Sequence, residues 1–147
     1  MKEIKTIGDL IDNVENSILS TVDSEGFPNT RAMLAPRKRE DGIRFIYFST
    51  NTSSKKVQQY RDNPKACVYF YDSNLFKGVM LKGTMEVLQD IENRQMIWRH
   101  GDALYYPLGV TDPDYCVLKF TAQSGRCYSN LKSFCFDIGP DSDQIDL

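Results

Sequence analysis

At 147 residues, with 18 Lys/Arg against 20 Asp/Glu and a formal charge of −2, the chain is long enough for one domain with its own core, and it lacks the strongly basic balance of a nucleic-acid binder. No apolar run approaches the roughly 20 residues of a membrane span, and four cysteines without CxxC spacing beside a single histidine argue against a Cys/His zinc site. Met1-Lys2-Glu3 opens on no secretory leader, so a cytoplasmic protein with reduced, mostly buried thiols at Cys67, Cys116, Cys127 and Cys135 is expected.

Ile4, Ile7, Leu10, Ile11, Val14 and Ile18 recur at helical spacing, and Thr6 with Asp9 three residues on has the form of a capping box; together they predict an amphipathic helix over 7–16. Residues 18–22 read as a strand, Asp23-Ser24-Glu25-Gly26 as a turn, and 28–35 as a second strand. In that strand Arg31 and Met33 point to one face, Ala32 and Leu34 to the other. A charge that shares a face with an apolar neighbour calls for a ligand or a buried partner; the plainer alternative is an edge-strand arginine in solvent. Residues 36–42 form a charged hairpin loop. The next stretch, 43–48, is apolar and aromatic with almost no polar break, which suits a central strand buried on both faces. Six small polar residues, 49–54, then lead into a short amphipathic helix that carries Lys55 and Lys56 in its first turn and runs to about Asn63, where Pro64 ends it. A β-prone run follows at 65–71, and a long strand at 76–88 holds Gly78 and Gly83 as sites for bulges or close backbone approach. Asp90 caps a helix through about Trp98, 101–113 is irregular and aromatic, and strands at 115–121, 125–130 and 134–138 precede an acidic stretch expected to fray. Seven or eight strands with hairpin-type connections and three short helices argue for a mainly β, antiparallel, closed or nearly closed barrel.

The junction between the 43–48 strand and the following helix gathers backbone N–H groups, hydroxyls and two cations, which is a phosphate site in physical terms. Lysines in a first turn oppose the helix dipole, and an anion would offset them; without one, the stretch is an ordinary solvated helix start. Within 31–61, Arg31, Arg37, Lys38, Arg39, Arg44, Lys55, Lys56 and Arg61 face only Glu40 and Asp41, so an anionic ligand belongs in this half. No acid–base pair or triad stands out. His100 reads as a surface or cap position, and Trp98, Tyr105 and Tyr106 as aromatic core or as cover for a ligand.

Thr30-Arg31-Ala32-Met33, then F-I-Y-F-S-T at 45–50, S-x-K-V at 54–57, N-P-K-A-C-V at 63–68 and G-T-M-E-V at 83–87 stand in an order that resembles the pyridoxamine 5'-phosphate oxidase-like family of FMN-binding split barrels, in particular its bacterial general-stress-protein branch. Residues 106–109 and 112–120 resemble that branch's later segment. The resemblance implies an antiparallel six-stranded split barrel with short flanking helices, a single domain over 1–147, and a homodimer with FMN at the subunit interface. It implies Arg31 at the FMN phosphate or pyrimidine side, the backbone of Ala32 and Met33 along the isoalloxazine, and Ser49 and Thr50 against the flavin and ribityl chain. It also implies Ser54, Lys55 and Lys56 at the phosphate, and it singles out no catalytic residue. The true pyridoxamine phosphate oxidases carry a C-terminal arginine-rich substrate segment, whereas this chain runs into Asp137-Ile138-Gly139-Pro140-Asp141, unsuited to a second phosphate. Two functions remain: an FMN-dependent oxidoreductase using a reduced nicotinamide or a small oxidisable substrate, or a non-catalytic flavin-binding or flavin-sensing stress protein. An oligonucleotide-binding barrel is disfavoured, because the lysines cluster at one turn instead of along a groove.

Overall fold

The computed structural model describes residues 3–147, so Met1 and Lys2, on which the expectation of no leader partly rests, lie outside the described residues. In chain order the elements are α1 (Ile7–Asn13), β1 (Asn16–Val22), β2 (Pro28–Leu34), β3 (Lys38–Glu40), β4 (Phe45–Asn51), α2 (Lys55–Asp62), β5 (Lys65–Asp72), β6 (Lys77–Leu88), α3 (Ile91–Ile97), β7 (Tyr115–Ser129) and β8 (Lys132–Asp137), with single 3-10 turns at Asp102–Leu104, Gly109–Thr111 and Ser142–Gln144. The strands form one antiparallel sheet in the order β2-β1-β5-β6-β7-β4-β3, and β8 adds to β7. Six of them, β1, β2, β4, β5, β6 and β7, carry the main path; three-residue β3 and hairpin strand β8 are additions at its margins. Inward residues such as Leu19, Ile46, Phe48, Val68, Phe70, Leu81, Leu118 and Phe120 join Ile7, Leu10 and Ile11 of α1 and Val57 and Tyr60 of α2 in one buried cluster. β2 and β3 each pair on one side only, so the barrel is split between them. No helix among the described residues is long and apolar enough to cross a membrane.

Several local signals act as expected. The Asp9 N–H donates to Thr6 Oγ1 at 3.2 Å and the Thr6 N–H donates to Asp9 Oδ2 at 3.2 Å, which closes the capping box. α1 nevertheless stops at Asn13, because Val14 is already extended. β4 begins at Phe45, with Ile43 buried in the preceding turn, and it lies one strand from the margin instead of at the sheet centre. Its two faces are both covered: Ile46 and Phe48 enter the main core, while Phe45 and Tyr47 pack in a second cluster with Ile97, Tyr106, Tyr115 and Val117. The strands expected at 115–121 and 125–130 are one. β7 stays paired with β6 along both parts, and a bulge at Lys82/Gly83 lets the ladder pass Gln123. Along its other edge β7 serves β4 first and β8 second. The acidic stretch does not fray. Ile145 accepts from the Ile7 N–H at 3.0 Å and the Leu147 N–H donates to Lys5 O at 2.9 Å, because Ile145 and Leu147 pack against the main core. Of the four thiols Cys116 and Cys127 are buried and Cys67 is half-buried, but Cys135 is exposed on β8.

Gly83 sits at the bulge of the β6–β7 ladder, where the backbone of β7 leaves no room for a side chain. A Cβ there would run into Thr121 O, a backbone atom that cannot turn aside. Gly83→Ala is therefore expected to lose about 2–3 kcal/mol of stability through forced backbone displacement, read from the urea midpoint at unchanged m-value. A midpoint equal to that of the unsubstituted protein would show that the ladder can open there without cost.

Candidate functional site

The site is built where β4 ends. Asn51 still pairs with Tyr115 in the ladder, and at the turn Ser54 directs both its N–H (3.0 Å) and its hydroxyl (2.8 Å) to Asn51 O. Ser54 is the extended N-cap residue of α2, yet its side chain makes no cap bond. Among the described residues the N–H groups of Lys55 and Lys56 have no acceptor, and neither lysine forms an ion pair. The helix therefore starts with unused donors and two cations at its positive end.

Behind this start, Asp114 holds the turn. Its Oδ1 accepts from the Ser53 N–H at 2.8 Å, its Oδ2 from Asn51 Nδ2 at 3.0 Å, and its carbonyl from the Thr52 N–H at 2.7 Å. These bonds from Ser53 and Asn51 hold the Asp114 carboxyl below its usual range. Burial pushes the Tyr106 hydroxyl up to about 12, so it remains a donor and reaches Asn51 Oδ1 at 3.3 Å.

Arg31 comes to the same place from β2. Its Nη1 donates to Thr21 Oγ1 at 2.9 Å, Asn29 O at 3.3 Å and Leu19 O at 3.5 Å, and its Nη2 to Gln59 Oε1 at 3.3 Å. Every one of these acceptors is neutral. The guanidinium is thus fixed in position, by α2 through Gln59, without its charge being balanced. Burial lowers the Lys56 ammonium below its ordinary value, and the nearby Arg31 charge lowers it further. The Asp23 carboxyl in the β1–β2 turn is held below its usual range by hydrogen bonds from Asn29 and the Phe27 N–H, with Lys55 the least of the contributors.

Of the residues expected from sequence, the fold brings Arg31, Ser54, Lys55 and Lys56 together around the start of α2. Thr50 is buried on the α2 side of β4 next to Phe48's face, whereas Ser49, one residue earlier, turns to the face of the second cluster. Met33 packs against the main core, and Ala32 is exposed on the outer face of β2. His100 is exposed. Trp98 and Tyr106 pack at tilted angles on Tyr115, with ring centroids 5.2 and 4.9 Å from it, so they belong to the second cluster, while Tyr105 is exposed. The positioning residues Gln59, Thr21, Asn29 and Asp114 were not foreseen. The one local hint was Gln59, a polar residue one turn after Lys55 that the fold leaves only 8% exposed.

The donor set suits a phosphate dianion: Arg31 held by neutral acceptors, two lysines without an acid partner among the described residues, and unused helix N–H groups, joined by the Ser54 hydroxyl once it turns from Asn51 O. A neutral or cationic ligand would leave these cations without an anionic partner.

The family model described as "Pyridoxamine 5'-phosphate oxidase like" matches residues 2–138. Among solved structures, the chain is similar to a Clostridium acetobutylicum protein described as related to general stress protein 26 of B. subtilis, of the pyridoxinephosphate oxidase family, with 41% identity over 88% of this chain and 90% of that one and a TM-score of 0.80. It shares the fold of a Nostoc punctiforme protein described as pyridoxamine 5'-phosphate oxidase-related and FMN binding, at 17% identity over 86% of this chain and 87% of that one, TM-score 0.64. The pyridoxine/pyridoxamine 5'-phosphate oxidase of Caulobacter vibrioides is 36% identical over 74 residues, 50% of this chain. That match spans 32% of the enzyme, about a third of its length.

Proposed function

Because the chain belongs to the pyridoxamine 5'-phosphate oxidase-like family, we propose that it binds FMN and works as a homodimeric, cytoplasmic FMN-dependent oxidoreductase. The observation that carries this reading is the open start of α2, where the Lys55 and Lys56 N–H groups are unused and Arg31 is held only by neutral acceptors, one of them Gln59 of the same helix. Arg31, Ser54, Lys55 and Lys56 would hold the phosphate, while the backbone of Ala32 and Met33 and the strand end at Ser49 and Thr50 would border the ribityl chain and ring. Bound FMN supplies the electron transfer, and the protein contributes binding, orientation and local charge. Arg31, held in place by neutral acceptors, would fix one end of the ligand, and the neighbouring Phe48, Thr50 and Val57 are buried.

A dimer is supported by what the protomer leaves open. β2 is a seven-residue edge strand, a hazard that proteins cover, and Leu34, Ile18 and Tyr71, 61%, 36% and 39% exposed, share the outer face beside it. The substrate class is a reduced nicotinamide or another small oxidisable molecule; residues 137–147, acidic and docked on α1, do not offer a second phosphate site. A non-catalytic flavin-binding role is the second reading, favoured by the exposure of the only histidine and the lack of an acid–base pair among the described residues of the site.

The test is spectroscopic. Protein reconstituted with FMN should show flavin bands at one flavin per chain and a dimer mass by light scattering; bleaching by anaerobic NADH or NADPH would establish the oxidoreductase reading. Stable flavin binding without bleaching by either nicotinamide or by small reductants would favour the second reading, and failure to retain FMN would overturn both.

A further inference from the structure

Residues 98–114 cover the second cluster and contain no ligand-facing group of the proposed cofactor site, yet they are tied to that site at one point. The tie is Asp114, with Tyr106 reinforcing it through Asn51. We propose that Asp114 is a positioning residue for the phosphate site: it fixes turn 51–54 so that the first turn of α2 is presented, donors free, beside Arg31. The inference rests on the FMN reading above.

The geometry explains why a carboxylate stands there. Asn51, Thr52 and Ser53 offer three donors in succession, and a turn this tight cannot satisfy them internally. Asp114 takes all three with two carboxylate oxygens and its own carbonyl. Their donors are thereby directed inward, and the N–H groups that remain outward are those of Lys55 and Lys56. The groups facing Asp114 are Asp112, whose Oδ1 accepts the Asp114 N–H at 2.9 Å, and the Tyr106 hydroxyl beside Asn51; no cation pairs with it among the described residues. Its charge is therefore no help to a bound phosphate. Removing a negative charge next to an anion site should by itself tighten phosphate binding. Loss of affinity on removing it can only come from loss of position.

The experiment is a fluorescence titration of FMN and riboflavin against the full chain and Asp114→Asn, Asp114→Glu and Asn51→Ala, with thermal unfolding of each variant alongside. Asp114→Asn, which keeps a single oxygen for two donors, should weaken FMN by about tenfold, the loss of one charge-assisted hydrogen bond's worth of order. Riboflavin affinity should stay unchanged, the unfolding temperature should fall only slightly, as for one lost hydrogen bond at the surface, Asp114→Glu should recover most of the FMN loss, and Asn51→Ala should fall between. Unchanged or tighter FMN binding by Asp114→Asn, or an equal loss for riboflavin, overturns the inference and leaves the cofactor reading standing. Absence of FMN binding by the unsubstituted protein removes the cofactor reading and this inference with it.

Discussion

Replacing Lys55 and Lys56 together by alanine is expected to weaken FMN binding at least a hundredfold while hardly changing the weaker binding of riboflavin, which lacks the phosphate. A phosphate dianion at a helix start receives charge-assisted hydrogen bonds as well as N–H dipoles, and each lost cation contact costs on the order of 1.5–3 kcal/mol. Two such losses exceed the roughly 2.8 kcal/mol that a hundredfold requires. The structure ranks the two lysines. Lys56 is half-buried and should account for most of the effect, whereas Lys55 is exposed. Titrations of Lys55→Ala, Lys56→Ala and the double variant with both flavins check this; equal losses for FMN and riboflavin would place the phosphate elsewhere.

Asp102→Ala should destabilise the protein by about 3–5 kcal/mol, the usual cost of stranding one member of a buried ion pair. Arg37 meets Asp102 in a fork, Nη1 to Oδ2 and Nη2 to Oδ1, each at 2.8 Å, and the two side chains are 8% and 7% exposed. Asp102 Oδ2 also accepts from the Arg99 N–H at 2.8 Å, Arg37 Nη1 reaches Ile97 O at 3.2 Å, and Arg99 returns a bond to Arg37 O at 2.9 Å. The pair thus fastens the segment after α3 over Tyr47 and Tyr115. Burial pushes the Asp102 carboxyl up, but the Arg37 hydrogen bonds, the Arg99 N–H and both positive charges outweigh it and hold the carboxyl below its ordinary value. A depressed folded-state value means that the contribution is fully present above the ordinary carboxylate range and is lost as pH falls through the folded value. Urea midpoints measured from neutral pH into acid should therefore fall less steeply for Asp102→Asn than for the unsubstituted protein. Replacing both partners, Arg37→Met with Asp102→Leu, should recover much of the loss, since no buried charge is then stranded. A single variant as stable as the original would show that water reaches the pair.

What could be read from the chain alone was what depends on neighbours in sequence. The capping box at Thr6 and Asp9, the stop at Pro64, the cap at Asp90 and the alternation in β2 are decided over three or four residues, and each stands where expected. The start of α2 was legible for the same reason: Ser54, Lys55 and Lys56 are consecutive, and their donors and charges gather wherever the helix begins. The recognisable order of short motifs supplied the family, and the family model agrees over residues 2–138. The tertiary structure decided everything that required partners far along the chain. β7 became one strand because β6 pairs with both of its halves through a bulge. The acidic stretch docked because Ile145 and Leu147 found the core beside α1. Arg31 found Gln59 28 residues away and the turn found Asp114 more than 60 residues away, pairings set by sheet register, to which no local pattern is sensitive. Charge type and helix start are local properties and mark where an anion can bind; the acceptors that hold those charges in place are chosen by which strands lie side by side.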